Sequence, residues 1–107
     1  MKRYGQLIGV QPDKLKEYVK YHANVWPGVL KMIYDCNIRN YSIFHKDHML
    51  FAYFEYVGDD FEADMAKMAA DPETQRWWDV MMPMQKPIDT RAEGEWWADM
   101  EEVFHTD

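Results

Sequence analysis

NIRNYSIFH (Asn37–His45) and MLFAYFEYV (Met49–Val57) are the two runs that decide the fold. Both are rich in aromatic and branched residues, which favour extended, pleated backbone. Two such runs, this close in sequence, pair as a hairpin. Lys46-Asp47 is the expected turn. Strict alternation in the first run places Ile38, Asn40, Ser42 and Phe44 on one face, and Arg39, Tyr41 and Ile43 on the other.

The hairpin is flanked by helical patterns. On the N-terminal side, residues 3 to 10 read as a first strand. Pro12-Asp13 then opens a helix, as proline permits in a first turn. Leu15, Tyr18, Val19 and His22 recur at helical spacing, with Lys14, Lys16, Glu17 and Lys20 opposite. Pro27 cannot continue that ladder but can begin another, so residues 12 to 35 should form a kinked or broken pair of helices. On the C-terminal side, Gly58-Asp59-Asp60 ends the second strand and offers an N-cap. Phe61, Met65, Met68 and Ala69 mark a third helix face. Asp71-Pro72 caps another helix from Glu73 to about Met82, which Pro83 and Pro87 end. Residues 84 to 95 read as an irregular arm, and Met100 to His105 as a last short strand.

Strand, helix, strand, strand, helix, strand is the ferredoxin-like split βαβ order. The expected class is α+β: one domain over residues 1–107, with an antiparallel sheet covered by helices on one face. The other face would carry aromatics and needs a cover. A second copy, giving a dimeric α/β barrel, or a bound ligand would supply it.

Composition narrows the function classes. The 107 residues hold 12 Lys and Arg against 19 Asp and Glu, a net charge of −7. Nucleic acid and anionic membrane surfaces both ask for clustered cations, so neither is expected as a partner. The longest apolar run, Met49 to Phe54, is far short of the roughly 20 residues that span a bilayer. Cys36 is the lone cysteine and no apolar leader stands at the N-terminus, which points to a reduced, cytoplasmic setting. Aromatics make up 16% of the chain, including the tandem pairs Trp77-Trp78 and Trp96-Trp97. So short a chain cannot bury all these rings in its own core, and some should line a pocket or an interface. No Gly-rich phosphate loop, paired-Cys zinc pattern or Ser nucleophile elbow is present.

Tyr18, His22 and Trp26 share one face of a continuous helix, with Pro27 able to open space beside His22. A histidine titrates near pH ~6.5, so His22 could give and take protons. It could instead be a packed histidine satisfied by a backbone carbonyl, the commoner case for a histidine on an amphipathic face. The Tyr41 phenol could enter the same cavity or form a cross-strand aromatic pair. Trp77 and Trp78 point about 100° apart on a helix, so one can face the core and the other a pocket rim. Indole faces suit the C–H surfaces of sugars, and the indole N–H can donate to a hydroxyl. His45, His48, Cys36 and His105 do not form a metal-ligand pattern, and no metal is expected. Asp59-Asp60 and Glu101-Glu102 read as solvated or capping residues. The methionines at 65, 68, 81, 82 and 84 read as core or interface filler.

These segments resemble the L-rhamnose mutarotase family: Glu17-Tyr18, Tyr21-His22, Val25-Trp26-Pro27, Asn40 to Phe44, Leu50-Phe51-Ala52, Gln75 to Trp78 and Glu101 to His105. They run in the family's order over nearly the whole chain. The resemblance implies a dimeric ferredoxin-like fold and cofactor-free aldose 1-epimerase activity. It implies that His22 is the catalytic acid and that Tyr18, Tyr41, Trp77 and Trp78 contact the sugar. Other 6-deoxy sugars, such as L-fucose, fit the same reading. A small dimeric monooxygenase and a non-catalytic binding module are the competing readings of this fold.

Overall fold

The computed structural model describes every residue from Met1 to Asp107. The elements are β1 (Lys2–Val10), a 3-10 turn (Pro12–Lys14), α1 (Leu15–His22), α2 (Pro27–Asp35), β2 (Ile38–Lys46), β3 (Met49–Tyr56), α3 (Phe61–Ala69), α4 (Pro72–Met81), a second 3-10 turn (Met82–Met84), β4 (Gln85–Lys86) and β5 (Ala98–Met100). β1 is central. It runs antiparallel to β3 on one edge, and to β4 and β5 on the other. With β2 outside β3, the path is β2-β3-β1-β4, the ferredoxin-like order. No helix is long and apolar enough to cross a membrane.

Local chemistry explains the helix boundaries. Ala23 and Asn24 end α1, and Pro27 starts α2 without needing the N–H it lacks. Asp60 caps α3 by accepting from the Ala63 N–H at 3.1 Å. Asp71 caps α4 by accepting from the Thr74 N–H at 2.9 Å and its hydroxyl at 2.8 Å. α2 and α4 meet at Gly28, where the Glu73 carboxylate fills the space a Cβ would need. That carboxylate lies beside the N-terminal end of α2, where the helix dipole favours negative charge.

The helices bury one face of the sheet. Ile8, Val10 and Leu50 pack with Tyr18, Val29, Trp77, Met81 and Met84. A smaller cluster of Ile38, Phe54 and Tyr56 lies under α3. Beside it, Asp64 accepts from the Asn37 amide at 3.0 Å and from the Tyr56 hydroxyl. Away from the helices, Phe44 stands opposite Phe51, and they are 65% and 50% exposed.

Three details of the sequence reading need correction. The first is the alternation in β2. Arg39 pairs with Glu55 and Ser42 with Tyr53, so Asn40 and Tyr41 together oppose Phe54. This β-bulge shifts the alternation by one. Ile38 therefore shares the helix-facing side with Tyr41 and Ile43, rather than with Asn40, Ser42 and Phe44. Asn40 is the extra residue. It takes φ 52°, and its amide donates to Glu55 at 2.7 Å. Asparagine tolerates this left-handed conformation better than branched residues do.

The second correction is the hairpin turn. It is centred on Asp47-His48, with φ of 51° and 63°, the positive pair that a two-residue turn needs.

The third is the end of the chain. Gln85-Lys86, expected within an irregular arm, pairs with Gly9-Val10. The last strand is Ala98–Met100, not Met100–His105. Its register with β1 continues only through side chains: the Arg3 guanidinium donates to Glu102 at 2.8 and 3.0 Å. The backbone pairing with β1 ends at Met100, and beyond the Arg3–Glu102 contact Val103 and Phe104 remain exposed.

The bulge gives a stability test. Asn40→Gly should keep the urea midpoint near that of the parent chain. Asn40→Val should lose about 1–2 kcal/mol, the cost of a left-handed conformation for a residue with Cβ crowding. Equal midpoints for the two variants would contradict the assigned bulge.

Candidate active site

One turn of α1 separates Tyr18 from His22. Their rings lie 4.3 Å apart, tilted by 31°. Tyr18 is only 3% exposed. His22 Nδ1 lies 2.8 Å from the Tyr18 backbone carbonyl. A carbonyl only accepts, so Nδ1 carries the hydrogen and Nε2 keeps the lone pair. Burial lowers the His22 pKa below its ordinary value, and the hydrogen bond to the carbonyl partly opposes this. The resting ring is therefore neutral at physiological pH, with Nε2 free to exchange a proton.

Trp77 is the wall behind it. It is 6% exposed, while its neighbour Trp78 is 36% exposed. The Trp77 ring meets His22 edge-on at 5.4 Å, Trp26 at 5.1 Å and Tyr21 at 6.0 Å. The tandem pair is thus divided between core and rim, as the helical angle requires.

Tyr41 arrives from the bulge and meets Phe54 edge-on at 5.6 Å. The residue as a whole is 42% exposed. Its phenol nevertheless sits among apolar walls, and desolvation pushes its pKa up to about 12. Burial also raises the Tyr18 phenol, which a hydrogen bond from Gln85 partly offsets. Both phenols remain neutral hydrogen-bonding groups at physiological pH.

Tyr18, His22, Tyr41, Trp77 and Trp78 all line one cavity of about 520 Å³. A second lobe of about 560 Å³ shares the Tyr18, His22, Tyr41 and Trp77 walls and extends past Val19, Leu30 and His45. No carboxylate, lysine or arginine lines either lobe. An apolar chamber with a few convergent polar groups suits a small, uncharged, partly apolar ligand. No three His, Cys, Asp or Glu side chains come together anywhere as a metal site.

The L-rhamnose mutarotase family model matches residues 3–106. The chain belongs to the L-rhamnose mutarotase family. It is 36% identical to the L-rhamnose mutarotase of Oceanobacillus iheyensis, over all of both chains. It is 34% identical to that of Bacillus subtilis, again over all of both. Among solved structures, L-rhamnose mutarotase from Formosa agariphila superposes with a TM-score of 0.77 at 22% identity, covering both chains fully. Tetracenomycin F2 cyclase from Streptomyces glaucescens superposes at 0.71 with 12% identity, also over both full chains. At these identities the superpositions speak to the fold alone.

His22 is satisfied by a backbone carbonyl, as a packed histidine would be, and it also lines the cavity. Trp26 is different. α1 stops at His22, so Trp26 leaves the shared face and packs on Trp77 instead. Two polar contributors escaped the sequence reading. Gln85, buried in the cavity wall, donates from Nε2 to the Tyr18 hydroxyl at 3.1 Å. Trp96 donates from its indole N–H to Gln85 Oε1 at 2.7 Å. The available signal was a single amide directly after the apolar run Met81-Met82-Pro83-Met84.

Nitrogen NMR of histidine-labelled protein checks the His22 assignment. The Nδ1–H tautomer should be present at neutral pH, with a titration midpoint below 6.5. A midpoint above that value, or the Nε2–H tautomer, would contradict the geometry.

Proposed function

We propose that this chain is an L-rhamnose mutarotase that interconverts the α and β anomers by assisted opening and closure of the pyranose ring. The observation that carries the reading is the neutral His22, its Nδ1 tied to a carbonyl and its Nε2 free beside two phenols, in a chain of this family.

Opening requires a proton to leave the anomeric hydroxyl and a proton to reach the ring oxygen as the bond from C1 to that oxygen breaks. His22 Nε2 takes the first proton. Tyr18 or Tyr41, or a held water, supplies the second. The aldehyde turns about C1–C2 and recloses on its other face. In the closing step the imidazolium acts as the acid, returning its proton to the former carbonyl oxygen, while the ring hydroxyl gives back the other. No net proton is gained or lost. A histidine can take a proton and return it within one cycle, and such assistance is typically worth ~10²–10⁴-fold. Trp77 and Trp78 contact the sugar's C–H surface, and the apolar walls accept its methyl group.

Saturation transfer between the anomeric protons of L-rhamnose, with L-fucose alongside, tests this. Added protein should produce exchange, fastest with L-rhamnose. His22→Ala should reduce kcat by roughly 10²-fold or more. Undiminished exchange in that variant would remove His22 from its role.

We further propose a homodimer, with the exposed Phe44 and Phe51 face covered by the same face of a second copy. A cytoplasmic setting is proposed on the single free thiol, Cys36. Sedimentation at micromolar concentration should give a dimer, and Phe44→Lys should shift it toward monomer. A monomeric parent chain would refute the dimer.

A further inference from the structure

We propose that Gln85 is a positioning residue. It fixes the Tyr18 hydroxyl as a hydrogen donor toward the chamber, and Trp96 sets the direction of that bond. The proposal rests on the ring-opening reading above and assigns the proton at the ring oxygen to Tyr18.

The direction follows from a chain of donors. An indole N–H can only donate. The Trp96 indole lies 2.7 Å from one end of the Gln85 amide, so that end is the carbonyl oxygen. The other end, Nε2, therefore faces the Tyr18 hydroxyl at 3.1 Å and donates into its oxygen. No protein acceptor takes the hydroxyl's own hydrogen. It is left for whatever occupies the cavity that Tyr18, Gln85 and Trp96 line together. Gln85 is buried, and a buried amide is costly unless both ends are paired. Here both are. The strand pairing of Ala98 with Leu7 pins the arm that carries Trp96, which gives this otherwise irregular segment a place in the chemistry. The titratable groups facing the amide's chamber are Tyr18 and His22 from α1 and Tyr41 from β2.

Gln85→Glu keeps the shape and inverts the polarity. An ionised carboxylate only accepts. One oxygen takes the Trp96 hydrogen and the other takes the Tyr18 hydrogen, which turns the phenol's lone pair toward the sugar. When protonated, the carboxyl restores the original pattern. Anomer exchange of L-rhamnose is measured for the parent, Gln85→Glu and Gln85→Leu from mildly acid to mildly alkaline pH. The ratio of kcat for Gln85→Glu to that of the parent should approach one at the acid end. It should fall about tenfold, the scale of one lost hydrogen bond, as the carboxyl ionises, with KM changing less. Gln85→Leu should be slow throughout, with no recovery in acid. A ratio that does not change with pH, whether high or low, would reduce Gln85 to a structural part and overturn the proposal.

Carbon NMR of labelled tyrosine gives a readout that does not depend on turnover. The Tyr18 phenol should titrate higher in Gln85→Glu than in the parent, and an unchanged midpoint would overturn the relay. A parent chain with no anomer exchange, but with that Tyr18 shift present, would fail the ring-opening reading while leaving the relay standing.

Discussion

The hydrogen bond from His22 Nδ1 to the Tyr18 carbonyl is the constraint on which the site depends. In an apolar chamber an unpaired polar group costs more than a surface group does. His22 and Tyr18 each keep one internal partner there and leave one valence open. His22 gives its N–H to the carbonyl and keeps a lone pair. Tyr18 accepts from Gln85 and keeps a hydrogen. A base and a donor come to rest side by side without any net charge. Burial then supports the arrangement, because the ring is neutral when empty and gains charge only when a proton is passed to it.

The fold supplies this constraint through a few local features. α1 places Tyr18 and His22 one turn apart and then stops. Pro27 restarts the chain as α2, and Gly28 leaves the room that Glu73 fills where α2 meets α4. α4 carries Trp77 into the core, where three neighbouring rings meet it edge-on. The bulge at Asn40 turns Tyr41 toward the helices. Without it, the alternation that buries Ile38 would send Tyr41 to the opposite face.

Much of this was legible in the residues. Hydrophobic spacing, the caps Asp60 and Asp71 and the placement of proline gave the order of strands and helices. Helical spacing gave the Tyr18–His22 pair, and the division of Trp77 from Trp78 followed from the helical angle. The family resemblance joined these residues with Tyr41 into one site. The bulge was not legible, because one extra residue leaves composition and average spacing unchanged. The last strand was misplaced because Met100, Val103 and Phe104 look like a strand locally, whereas a strand requires backbone pairing with a neighbour, and the pairing with β1 ends at Met100. Gln85 was missed because its role depends on two partners 67 and 11 residues away in sequence.

A high-resolution structure with L-rhamnose bound tests the central claim most directly. The account predicts the sugar in the cavity between α1, β2 and α4. Its anomeric hydroxyl should lie within hydrogen-bond distance of His22 Nε2, and its ring oxygen beside the Tyr18 hydroxyl. A sugar seated elsewhere, or one whose anomeric carbon lies away from Nε2, would contradict it.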